Sequence, residues 1–188
     1  MDRNLFLVLD VVDRLGNLAR TGMRRIGATH NLQPVHFQAL MFLRQANLYS
    51  NTPQALTDYL GLTKGTVSQS LQLLYRKGLI KRYADEKDKR VVRLELSPVG
   101  EKLLKDFRSI PEWSPGQINP ARIKTTLSSL REMVMNLQVS AGGRTFGSCH
   151  TCRHYQREGQ RTYRCGLTGE RLIVAETRKI CRLHALKE

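Results

Sequence analysis

The stretch that most restricts what this chain can fold into is ALTDYLGLTKGTVSQSLQLL at 55–74, with the basic pattern that follows it. Thr52-Pro53 opens a short helix to Leu60, stopped by Gly61. Thr63 caps a second helix over 64–77, and Gly78 ends it. Leu56, Leu60 and Leu62 are predicted to pack inward, facing the stripe Val67, Leu71 and Leu74. Two strands follow, 79–83 and the alternating 91–96, joined by the charged turn ADEKDKR. Helix, tight turn, helix and hairpin together predict a mainly α domain with a small β-hairpin wing, a winged helix-turn-helix.

The flanks supply the remaining helices. Leu5, Leu9, Val12, Leu15 and Leu18 recur at helical steps and predict a long helix over 4–28. Pro34 opens another, with Phe37, Leu40, Met41 and Phe42 on its buried side. Ser97-Pro98 starts a helix carrying Val99, Leu103 and Leu104. The segment IPEWSPGQINP breaks it, and 120–138 resumes it with Ile123, Leu127, Leu130 and Val134. AGGR at 141–144 reads as a hinge. The domains are therefore 1–140, a helical body that carries the hairpin, and 141–188, a cysteine-rich module.

Charge points to the partner. The chain of 188 residues has 31 Lys and Arg against 16 Asp and Glu, a net +15. Polyanions are the default partner of such a chain, and cationic substrates are disfavoured. The helix at 64–77 presents Lys64, Gly65, Ser68, Gln69, Gln72 and Arg76 on one exposed side. Small and amide side chains near a helix N-terminus can approach base edges in a major groove. The hairpin adds Lys81, Arg82, Lys87, Lys89, Arg90 and Arg93, with Asp85 and Asp88 able to buttress one arginine. The competing reading is an ordinary solvated face with a salt-bridged turn.

The residues quoted so far resemble the DNA-binding core of the MarR-family regulators. The likeness rests on T-x-x-T-V-S at Thr63, Thr66, Val67 and Ser68, and on K-G-L-I-x-R at Lys77 to Arg82. It continues with D-x-R at Asp88 and Arg90, then L-S-x-x-G at Leu96, Ser97 and Gly100. With the flanking helices it covers roughly 5–138. The resemblance implies a homodimer on a pseudo-palindromic double-stranded DNA operator, built through the N-terminal helix and the two helices behind the wing. It also implies the helix at 64–77 in the major groove and Arg90 reaching the minor groove beside Asp88. Many members bind small aromatic acids, so a small-molecule effector is a further expectation, although no residue here specifies one. The sequence departs from the family at IPEWSPGQINP, which interrupts what is often one long helix.

All four cysteines fall in the last domain, as Cys149-x2-Cys152-x12-Cys165-x15-Cys181. Four cysteines in 33 positions, with none in the preceding 148, predict one shared ligand set. One CxxC plus two isolated cysteines suits a 4Fe-4S cluster better than structural zinc, which usually takes two knuckles. Zinc is the alternative, followed by a metal-free thiol switch. The pattern C-x-x-C-x-x-Y … C-x-L-T-G-E … C-x-L-H resembles small high-potential-type iron–sulfur modules, such as those on subunits of some glycyl-radical enzymes. Gly166 and Gly169 are expected to free backbone amides for sulfur, and Tyr155, Tyr163 and Phe146 to shield it. Arg153, Arg164 and Arg182 are expected to lower thiolate pKa values. His150, His154 and His184 are read as surface or supporting histidines, since four cysteines complete a site. The ten basic and four acidic residues of 141–188 serve either nonspecific DNA affinity or counter-charge for an anionic cluster.

No apolar run approaches the ~20 residues of a membrane span. LFLVL is too short for a secretory h-region, so a cytoplasmic protein is expected. No H-E-x-x-H, Walker loop or G-x-S-x-G motif appears, which argues against an enzyme. The expected function is a dimeric repressor whose hold on DNA is tuned by an iron–sulfur module. Sensing would act through the helix at 120–138, which spaces the two recognition helices. The alternative is a regulator of a small organic anion with a structural zinc tail.

Overall fold

The computed structural model describes residues 3–108 and 119–187. Its order is α1 (Arg3–His30), α2 (Pro34–Gln45), α3 (Pro53–Leu60), α4 (Lys64–Arg76), β1 (Ile80–Ala84), β2 (Val92–Leu96), α5 (Pro98–Arg108) and α6 (Pro120–Ser140). The cysteine module adds a 3-10 turn (Cys149–Thr151), β3 (Tyr155–Arg157), β4 (Tyr163–Cys165), β5 (Arg171–Leu172) and α7 (Val174–Thr177). Most of the interrupting proline segment lies outside the described residues.

The expected caps form. Thr52 accepts the Ala55 amide and Thr63 accepts the Thr66 amide, so α3 and α4 begin where the sequence places them. Gly61 ends α3 in the left-handed conformation at φ 63°. That turn redirects the chain and leaves Leu62 on the surface, not packed inward. Phe37, Leu40, Phe42, Leu56, Val67, Leu71, Leu74, Leu94 and Leu104 form the centre of the core.

β1 and β2 pair antiparallel from Ile80↔Leu96 to Ala84↔Val92. Ser97 then ties the wing to α5: its hydroxyl donates to the Gly78 carbonyl and accepts the Gly100 amide. A Cβ on Gly100 would stand 2.2 Å from the Leu79 carbonyl oxygen, so this crossing requires glycine. These contacts give a local reason for the L-S-x-x-G pattern.

Two long helices are poorly covered. α1 buries only Met23 and Gly27 and exposes Phe6, Leu7, Val11, Leu15 and Leu18. α6 has no buried residue among those described and exposes Ile123, Leu127, Val134, Leu137 and Val139. It stops by Gly143 N–H bonding the Gln138 carbonyl and Gly142 N–H bonding the Val139 carbonyl. The segment read as a hinge begins with this hydrogen-bonded helix stop, with Gly142 at φ 65°.

Beyond it, β3, β4 and β5 form an antiparallel sheet in that order. The module does not merely hang from α6. Ile180 donates its amide to the Gln45 carbonyl, and Asn47 returns one to the Ile180 carbonyl. Phe146 joins Phe42 and Tyr59 in the helical head that precedes the module, with centroids 6.5 and 5.2 Å away. No described helix is long and apolar enough to cross a membrane.

Candidate nucleic-acid interface

α4 separates its two sides sharply. Val67, Ser70, Leu71 and Leu74 are buried, while Lys64, Gly65, Thr66, Ser68, Gln69, Gln72 and Arg76 are exposed. Thr63 and Thr66 share a hydroxyl contact of 2.9 Å at the cap, which leaves Ser68, Gln69 and Gln72 as the open polar set. A Cβ at Gly65 would meet nothing closer than the Thr63 hydroxyl at 3.8 Å, so the helix start is uncrowded.

Beside this face the wing is built around two carboxylates. Asp85 accepts the amides of Lys87 and Asp88 and the Arg93 guanidinium at 2.6 Å. The Asp88 amide first, then Arg93, hold the Asp85 carboxyl down to about 2. Asp88 receives Nε and NH2 of Arg90, both at 2.9 Å, in a fork that fixes the guanidinium plane. Arg90 nevertheless remains 91% exposed at the wing tip. Lys89 is exposed beside it, and Arg82 lies 5.3 Å over the Tyr75 ring, a partner the sequence reading missed. α3, α4 and the wing enclose a groove of about 680 Å³, lined by Lys64, Ser68, Arg82, Arg90 and, from the cysteine module, Arg182.

The loop between α2 and α3 joins this face to the module. Asn47 and Ser50 are buried there, and the Ser50 hydroxyl donates to Asn47 Oδ1 at 2.8 Å while accepting the Arg182 amide at 2.7 Å. Arg93 reaches the Leu48 carbonyl and Asn51 Oδ1, and the Leu94 amide bonds the Asn51 carbonyl. Arg182 pairs with Asp58 of α3 at 2.9 Å. Isolated polar residues in a loop carry no periodic signal, so local pattern could not have exposed this bracket.

The same bracket touches sulfur. The Asn47 side-chain amide hydrogen-bonds Cys181, and the four cysteines lie in mutual electrostatic reach. Cys149, Cys152 and Cys181 are buried and Cys165 half-buried. Burial first, then the neighbouring Cys181, Cys152 and Cys165, push the Cys149 thiol up to about 12. Burial also raises Cys181. The expected lowering by a flanking arginine is thus reversed at Cys181, where burial dominates and Arg182 is turned to Asp58. Gly166 and Gly169 do not offer their amides to sulfur either: they donate to the carbonyls of His154 and Cys165.

His184 is a buried structural residue. Its ring nitrogens meet the hydroxyls of Thr145 and Thr151, each at 2.9 Å, and burial lowers its pKa. His150 and Tyr155 have ring centroids 5.6 Å apart. Tyr155 and Tyr163 stack at 5.4 Å. Among the described residues, no three His, Cys, Asp or Glu side chains are grouped so as to hold a single metal ion.

Residues 30–91 match the family model described as the MarR family. No curated protein matches the chain. Among solved structures, a MarR transcriptional regulator from Methanosarcina mazei Go1 is 25% identical with TM-score 0.59, covering 71% of this chain and 98% of that one. The transcriptional regulator BldR from Sulfolobus solfataricus is 19% identical with TM-score 0.56, covering 71% and 98%. A MepR–DNA complex from S. aureus is 23% identical with TM-score 0.51, covering 66% and 93%. The mainly helical body with its antiparallel wing has the winged-helix fold of these structures. Each of the three leaves more than a quarter of this chain unmatched.

Proposed function

We propose that the chain is a MarR-family transcription regulator that binds duplex DNA as a homodimer and responds to the state of its cysteine centre. Members of that family are transcription regulators, not enzymes. The observation that carries the reading is the open polar side of α4 next to an exposed arginine clamped by Asp88. A pre-aimed guanidinium beside a groove-sized helix is suited to reading two adjacent grooves. The uncovered apolar stripes of α1 and α6 suit a second copy, which doubles the phosphate contacts. Fluorescence anisotropy with duplex DNA tests this. Saturable binding that weakens steeply with salt is expected, and Arg90→Ala costs about 1.5–3 kcal/mol for a charge-assisted contact. Salt-insensitive or absent binding contradicts the reading.

The finer proposal is that Cys149, Cys152, Cys165 and Cys181 hold a 4Fe-4S cluster. An all-sulfur donor set fits either that cluster or zinc. The cluster is preferred on spacing, one CxxC with two isolated cysteines, and the four thiols lie within electrostatic reach of one another. When bound, such a group would make the order of the module sensitive to oxidant, nitric oxide or iron supply. The chain's own part is to exclude water, to donate the Asn47 amide to Cys181 and to link the centre to the reading head. Anaerobic purification should give a brown protein with iron and labile sulfide. A colourless, zinc-loaded protein supports the zinc alternative and removes the sensing proposal.

A separate feature favours an organic-anion effector. A cavity of about 410 Å³ between the end of α1 and α5 is lined by Leu32, Leu79, Val99 and Leu103 with His30, Lys77, Lys102 and Asp106. An apolar floor with Lys77 and Lys102 set against the single carboxylate of Asp106 suits a small organic anion.

A further inference from the structure

Lys87 stands at the wing tip, where a phosphate-binding cation belongs, yet it is engaged within the chain. Its ammonium pairs with the carboxylate of Glu170, a residue of the cysteine module 83 positions away. Glu170 is itself held in place. Its other oxygen accepts the Tyr49 hydroxyl at 2.8 Å, and Thr168 stands 2.9 Å from that hydroxyl. Burial foremost pushes the Tyr49 phenol up to about 12, so it stays a donor.

The backbone behind Glu170 is a closed turn. The Cys165 amide bonds the Glu170 carbonyl at 2.9 Å, and the Gly169 amide bonds the Cys165 carbonyl at 2.7 Å. Gly169 adopts φ 71°, which closes the turn. On the far side the module is anchored by Arg182 on Asp58 and by the amide exchange of Ile180 with Gln45 and Asn47. The carboxylate is therefore positioned by a docked body, and its placement depends on the turn that begins at Cys165.

We propose that Glu170 competes with DNA phosphate for Lys87, so that the docked module withholds one cation of the wing from DNA. This rests on the reading that the wing binds duplex DNA. Each phosphate contact releases counterions and adds about 0.9 to the slope of log affinity against log salt. An intramolecular carboxylate on Lys87 removes that contribution until it is displaced. Movement of the Cys165 turn frees the lysine, which gives the cysteine centre a short route to the wing that does not pass through α6.

The test uses the full chain and a mixed-sequence duplex long enough for two half-sites, titrated with salt. Glu170→Gln keeps the size of the side chain and removes its charge. It should bind several-fold tighter than the parent and steepen the slope by about 0.9 per bound protomer. The same change in a Lys87→Gln background should alter neither quantity, and thermal melting confirms that all four proteins fold. An unchanged slope in Glu170→Gln overturns the competition. Weaker binding overturns it too, because Glu170 would then be ordering the wing. If neither parent nor variant binds duplex in a salt-dependent way, the DNA-binding reading fails and takes this inference with it.

Discussion

The head and the cysteine module are held together by different means. The head buries a continuous hydrocarbon core, from Met23 and Phe37 through Leu71 and Leu74 to Phe107. Among the described residues after 140, the buried set is Cys149, Cys152, Leu172 and Cys181 with Thr145, Thr177 and His184. Leu172 is the one purely hydrocarbon side chain there. A body of that kind has little apolar burial to offset the entropy of ordering its backbone. Its order depends on polar links and on the head against which it docks, and in the proposed reading on sulfur ligation as well. The head can therefore serve as a fixed platform while the module responds.

Separate perturbations can break this contrast. The largest effect is expected in the head: Leu74→Ala, at a fully buried position, should cost about 2–5 kcal/mol in urea unfolding. Metal content per folded chain should not change. Loss of metal in proportion to the lost stability would show that the two regions fold as one. A smaller loss is expected in the module from Gly147→Ala. A Cβ there would lie 2.6 Å from the His184 ring, which sits between two threonines. Overpacking of this kind costs about 1–3 kcal/mol. Hydrogen exchange should report it across 145–187 while α2 and α4 keep their protection; equal loss in both regions contradicts the division.

Acid is expected to act on both regions through one kind of group. Burial, and for His36 the nearby Lys77, hold His36 and His184 below the usual 6.5. Below that pH the unfolded chain takes up protons that the folded chain refuses. Stability is thus full above about 6.5 and declines as pH falls. His36 accepts the Gln33 amide on Nδ1 and needs its neutral ring to do so. His36→Gln should flatten part of the decline in melting temperature. A profile that rises on acidification contradicts the assignment.

The same contrast explains what was legible in the sequence. Helical periodicity, the Thr52 and Thr63 caps and Gly61 mark out the head, because its fold is encoded in repeating apolar positions and local turns. The wing and its Asp88–Arg90 clamp are local too, and both form where the sequence places them. The module was legible as a spacing of four cysteines but not as a shape. The docking of Phe146 on Phe42, that of Ile180 on Gln45, and the Asn47 bracket depend on contacts across more than a hundred residues. Such contacts leave no mark in a local window. Leu62 shows the opposite limit: its apolar character suggested burial, and the Gly61 turn placed it outside.

In the proposed mechanism the state of the cysteine module sets how firmly the head holds DNA. The most direct measurement is the duplex affinity of the anaerobically purified full chain as salt is raised, taken before and after treatment with a metal chelator. The account predicts that affinity and salt slope both change on chelation while the head keeps its helical signal. Identical curves before and after, with the head intact, would contradict it.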